Sequence, residues 1–165
     1  MSESFRVQLE KQSLVFSAAH FITFGDNICE RIHGHNWGVR AEVCGPINEH
    51  GYVVDFIALR DALAAMVAEL DHRVLLPTNH PTIAVHAGER EVEVTFEDRR
   101  WVFPREDCAI LPIPNTTAEL LASYLGGRMR EWIFENEAGG LDRLSLAIDE
   151  NHGQWGVWEC ELGHD

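Results

Sequence analysis

A chain of 165 residues, 45% of them hydrophobic, can bury one core of its own, so a single domain over 1–165 is expected and no second one is required. Thirteen basic against 27 acidic residues leave a net charge of −14, which excludes a surface for nucleic-acid phosphates and points to a small-molecule partner; an anionic one would need a local basic patch. Cys29, Cys44, Cys108 and Cys160 form no C-x-x-C pair, no apolar run spans a bilayer, and Met1-Ser2-Glu3-Ser4 begins no signal peptide, so free thiols in a reducing cytoplasm and no membrane partner are expected.

From Phe5 to Phe21 the mix of alternating and apolar positions reads as one long strand that reaches His20 near its end. Phe24-Gly25-Asp26-Asn27 has turn chemistry. His33 to Val43 alternates again, and Trp37, Val39, Ala41 and Val43 share the parity of His33 and His35. The two histidines therefore project to one face, and an antiparallel return would bring His20 beside them. His-x-His alone is common on exposed strands; the crowding of His20, Cys29 and Glu30 around it is what points to a metal. Three neutral imidazoles with an open fourth position suit catalytic zinc, with Cys29 nearby but not needed as a ligand.

After turn residues at Gly45-Pro46 and Asn48 to Gly51, Tyr52-Val53-Val54 reads as a brief extended segment, with Asp55 as N-cap of a helix. Apolar positions 56, 59, 63, 66, 67 and 70 give that helix its buried stripe, and it should end near Asp71-His72. Between Pro77 and Pro112, strand-like runs at 82–86, 91–96 and 100–103, the last two joined by a turn at Glu97-Asp98-Arg99, read as a peripheral β-ribbon with one wet face. Asn115 or Thr116 should cap a second helix that buries Leu120, Leu121, Tyr124, Leu125, Met129, Trp132 and Ile133. Gly126-Gly127 should weaken its middle, and Gly139-Gly140 should end the region. Runs at 144–148 and 156–158 make a final hairpin around Glu150 to Gly153. The order predicts an α+β domain, an antiparallel sheet with two helices on one face and an inserted β-ribbon at about 77–112.

His20, Cys29-x-x-x-His33-Gly-His35-Asn36, Leu70-Asp71-His72, Thr117-Ala118-Glu119 and Glu150 together resemble the 6-pyruvoyltetrahydropterin synthase family, which includes the 6-carboxytetrahydropterin synthases of queuosine biosynthesis. The likeness covers nearly the whole chain except 77–112, for which the family has no obvious counterpart. It implies the tunnelling fold, trimers stacked into homohexamers, and a pocket at a subunit junction. It also implies Zn2+ on His20, His33 and His35, a proton removed by Cys29, and an Asp71–His72 relay acting on the other face of the substrate. Glu150, with Glu159 as a lesser candidate, would hold the pterin's amino group and ring nitrogen. Thr117 and Glu119 would flank the pterin, although Glu119 also reads as a first-turn helix acid.

Glu30 departs from the family pattern, since the segment also reads as Glu-x-x-His-Gly-His, a form found in folate-linked relatives; Cys29 or Glu30 could be the base, and Glu30 could equally be a solvated loop acid. The leading expectation is a zinc-dependent lyase converting 7,8-dihydroneopterin triphosphate to 6-carboxytetrahydropterin. The alternatives are triphosphate elimination to 6-pyruvoyltetrahydropterin, side-chain cleavage toward a folate precursor, and a zinc-holding binding or assembly protein. The ribbon should border the pocket and wall either the triphosphate side or the subunit junction, where Arg73, Arg90, Arg99, Arg100 or Arg105 could pair with phosphate oxygens.

Overall fold

The computed structural model describes residues 3–136 and 140–163, so Gly139 of the expected terminating pair lies outside the described residues. The first strand, β1 (Phe5–His20), runs as the alternation predicts and buries Leu14, Phe16, Ala18 and His20 on one side. A two-residue hairpin follows, β2 (Thr23–Phe24) and β3 (Ile28–Cys29), which turns through Asn27 at a φ of 63°. In β4 (His33–Gly45) Trp37, Val39, Ala41 and Val43 are all buried.

Helix α1 (Phe56–Ala68) starts where Asp55 accepts hydrogen bonds from the backbone N–H groups of Ile57 and Ala58. Its stripe is Leu59, Leu63, Met66 and Val67; Phe56 is instead exposed, and Leu70 is buried just beyond the helix. Tyr52 to Val54 form no strand, and Val53 and Val54 fill the core from a loop.

Next come β5 (Arg73–Pro77), β6 (Ala84–Ala87), β7 (Glu91–Phe96), β8 (Arg99–Pro104), a 3-10 turn at Arg105–Asp107 and β9 (Cys108–Leu111). Helix α2 (Ala118–Asn136) leads to β10 (Arg143–Asp149) and β11 (Trp155–Glu161). The cap falls on Thr117, whose hydroxyl accepts from Leu120 N and whose carbonyl accepts from Leu121 N, one residue later than Thr116 and two later than Asn115.

The main sheet has six strands in the order β11-β10-β4-β1-β5-β9. Its first three pairings are antiparallel, but β5 runs parallel to β1, and β9 runs parallel to β5. The expectation of a wholly antiparallel sheet is therefore corrected to a mixed one. Val74-Leu75-Leu76 and Cys108 to Leu111 are short, nearly continuous apolar runs, as parallel strands covered on both faces require, and such runs give no alternation to read.

Both helices cover one face and close a single core around Trp37, Phe16, Leu63 and Leu125. The glycine pair has two different roles. A Cβ on Gly126 would overlap the Trp158 ring of β11, whereas Gly127 faces open space. Strands β6, β7 and β8 form the ribbon, a separate three-stranded sheet whose Val92, Val94 and Phe96 pack with Phe21, Cys29, Leu76, Ile83 and Cys108 in a second cluster. The ribbon is thus seated against the hairpin that carries Cys29.

Candidate metal centre and active site

In the register of β1 and β4, His20 lies opposite His33 and Ala18 opposite His35. Directly opposed residues of an antiparallel pair project to the same face, and so do residues two apart, so all three imidazoles converge on the helix-covered side. His20 is fully buried, with the edge of its ring against Trp37.

Backbone carbonyls set the tautomers. The Nδ1 of His20 is 2.8 Å from the Thr116 carbonyl oxygen, and the Nδ1 of His33 is 2.9 Å from that of Arg31. A carbonyl only accepts, so each Nδ1 carries the proton and each Nε2 of the neutral rings presents a lone pair. These two Nε2 atoms face each other at 3.2 Å, and His35 Nε2 is buried with no hydrogen-bond partner. Burial lowers the His20 pKa to about 4, with the neighbouring imidazoles adding to the effect against the Thr116 contact, so its lone pair is free at neutral pH.

Glu150 Oε1 lies 3.4 Å from His35 Nε2 and 3.8 Å from His20 Nε2, and the candidate ligand atoms of the four side chains fall within 4.8 Å of one another. Converging lone pairs beside a carboxylate fit a divalent cation, for which three imidazoles and an oxygen ligand are a usual donor set. Asp149, by contrast, spends its carboxylate on Gly153 N and Gln154 N in the turn, and Glu159 is exposed.

The two candidate bases are placed differently. Glu30 Oε2 is 3.9 Å from His33 Nε2, at the rim of the cluster. The Cys29 thiol is buried, donates only to the Glu30 carbonyl at 3.5 Å, and has its pKa raised by burial, with Arg99 working against that rise.

Asp71 accepts from Ser17 N at 2.8 Å and holds His72 Nδ1 at 2.9 Å; Ser17 N–H above all, and then His72, keep its carboxyl below the usual range. His72 has a φ of 57° and stays exposed. The dyad's His72 borders a cleft of about 490 Å3 lined also by Ser17, Ala18, Ala19, Gly34, His35 and Asn36; of these, Ser17, Ala19, Gly34 and Asn36 have a parity opposite to that of His20, His33 and His35. The dyad therefore lies across the sheet from the imidazoles of its own chain.

Thr117 is half-buried and Glu119 exposed at the start of α2. Sequence reasoning treated Thr116 only as a possible cap; it is fully buried, it orients His20 through its carbonyl, and its hydroxyl donates to Phe21 O. Of the arginines expected to face phosphate, Arg73 donates to Glu106 O, Arg99 to the Cys29 and Glu30 carbonyls, and Arg100 pairs with Glu93.

The sequence pattern of the family described as 6-pyruvoyl tetrahydropterin synthase matches residues 9–161. A Methanocaldococcus jannaschii protein, named provisionally 6-carboxy-5,6,7,8-tetrahydropterin synthase, is 32% identical over 142 residues, 86% of each chain. A Pyrococcus furiosus dihydroneopterin monophosphate aldolase is 40% identical over 60 residues, 36% of this chain and 50% of its own. The 6-pyruvoyl tetrahydropterin synthase of Plasmodium falciparum superposes with a TM-score of 0.90 at 26% identity, over 97% of this chain and 99% of its own. Coverage that complete takes in residues 77–112, so the ribbon does have a counterpart among solved relatives, contrary to expectation. With a match that spans nearly every element of the fold, the chain belongs to the 6-pyruvoyl tetrahydropterin synthase family.

Proposed function

We propose that the chain is a zinc-dependent pterin lyase that takes 7,8-dihydroneopterin triphosphate to 6-carboxytetrahydropterin, within queuosine biosynthesis in the cytoplasm. The observation that carries this reading is the convergence of three imidazole Nε2 lone pairs, two of them fixed by backbone carbonyls, beside Glu150. The name of the Methanocaldococcus jannaschii relative supports the choice of product.

His20, His33 and His35 would hold the metal, which when bound supplies Lewis acidity toward the hydroxyls of the pterin side chain. Glu30 is the first candidate to take a carbon-bound proton, because its carboxylate already reaches the rim of the cluster; Cys29 is the second. Asp71 fixes the Nδ1–H tautomer of His72, which leaves Nε2 free to move a proton. Because that dyad lies across the sheet from its own imidazoles, it serves the site of a neighbouring copy, in keeping with a trimer or hexamer. Glu150 would accept from the planar donor edge of the pterin, with Thr117 and Glu119 beside it.

A second reading, cleavage of the side chain toward a folate precursor, draws on the nearness of Glu30 and on the aldolase named among the relatives. Incubating the purified protein with 7,8-dihydroneopterin triphosphate and identifying products by mass tests both: 6-carboxytetrahydropterin is expected, and a hydroxymethyl pterin would favour the second. Glu150→Gln is expected to raise KM while leaving the metal content at one per chain. A loss of metal in that variant would make Glu150 a ligand instead.

A further inference from the structure

Cys29 and Glu30 sit on backbone that cannot hold itself. Strands β2 and β3 have two residues each, and Glu30 to Ile32 belong to no helix or strand. Within the hairpin's own neighbourhood, the Glu30 amide is secured by Ile22 O at 2.9 Å and the Arg31 carbonyl by His33 Nδ1 at 2.9 Å. The remaining polar anchors come from elsewhere.

Arg99, the first residue of β8, follows a tight turn in which Glu97 has a φ of 52°. One of its terminal nitrogens donates to the Cys29 carbonyl at 2.7 Å and the other to the Glu30 carbonyl at 3.2 Å. A planar fork on two successive carbonyls fixes the orientation of the peptide between them, which a single ammonium cannot do. The guanidinium itself lies 5.6 Å from the centre of Phe96 and 5.9 Å from that of Trp101, and Trp101 stacks on Phe21 at 4.8 Å. Phe21 directly follows the metal-site residue His20.

The other end of the hairpin is tied by His80. Its Nδ1 accepts from Thr82 N and Ile83 N, which leaves the proton on Nε2 to be donated to Thr23 Oγ1 at 2.7 Å. Thr82 Oγ1 then donates to Asn27 Oδ1 in the turn. The inserted segment thus grips the hairpin at both ends.

We infer that the ribbon is a clamp for the proton-transfer segment, and that Arg99 is a positioning residue that aims Cys29 and Glu30 by holding their carbonyls. This rests on the pterin-lyase reading for its kinetic consequence but not for its structural one. Misplacing a reacting group by about 1 Å costs on the order of a hundredfold in rate. Arg99→Ala should therefore lower kcat by roughly ten- to a hundredfold with KM little changed.

Four measurements separate aim from bulk stability. In Arg99→Ala, hydrogen exchange should quicken in the peptide spanning residues 28–32 while metal content and the thermal midpoint stay near wild type. Low, non-denaturing guanidinium should restore part of kcat in Arg99→Ala. Arg99→Lys should fall between the two. Glu93→Gln, which weakens only the wet-face pair with Arg100, should match wild type throughout. Unchanged exchange in residues 28–32 overturns the clamp whatever the enzyme turns over, and so does a loss of kcat equally deep in Glu93→Gln. Faster exchange in a protein whose wild type turns over no pterin leaves the clamp standing and removes the lyase reading.

Discussion

At the scale of single residues, position and protonation diverge between neighbours. Glu30 reaches His33, while the adjacent Cys29 thiol is buried with its pKa raised. Glu30→Gln is therefore expected to slow turnover by about two to four orders of magnitude, the scale for losing a positioned acid-base group, and Cys29→Ala by less. Single-turnover rates rank the two, and the reverse order returns the role to the thiol. His80 offers a second test. Its burial depresses its pKa, and its Nδ1 must stay unprotonated to accept two amides. A base with a folded-state pKa below its unfolded one contributes stability above the unfolded value, about 6.5, and loses it as pH falls toward the folded value. The difference in unfolding free energy between wild type and His80→Ala should accordingly narrow below about pH 6.5. The convergence of His20, His33 and His35 was legible because alternation fixes parity. The carbonyls of Thr116, Arg31, Cys29 and Glu30 were not, since a backbone acceptor leaves no trace in residue type.

At the scale of elements, the two glycines of α2 should respond in opposite directions. Gly127→Ala meets nothing and gains helix propensity, so it should stabilise by up to about 1 kcal/mol. Gly126→Ala gains the same propensity but drives a methyl into Trp158, and overpacking of that kind costs about 1–3 kcal/mol. Urea unfolding of the two variants checks both signs. Read without its partner strand, the pair could only look like a weak point. Strands β1, β4, β10 and β11 were readable from alternation and turn residues. Strands β5 and β9 were hidden for the opposite reason, being covered on both faces, and their parallel pairing depends on neighbours distant in the chain.

For the molecule as a whole, the decisive feature is that the Asp71–His72 cleft and the imidazole cluster stand back to back on β1 and β4. Competence would then be a property of a junction between copies, and damaging lesions would sort into two complementation groups. His33→Ala and His72→Ala should each be inactive alone. When the two are unfolded together and reassembled at equal amounts, about a quarter of the junctions would join an intact metal site to an intact dyad. Activity near that fraction of wild type is expected, whereas two dyad variants mixed in the same way should give none. Lesions of opposite class would rescue one another, and lesions of the same class would not.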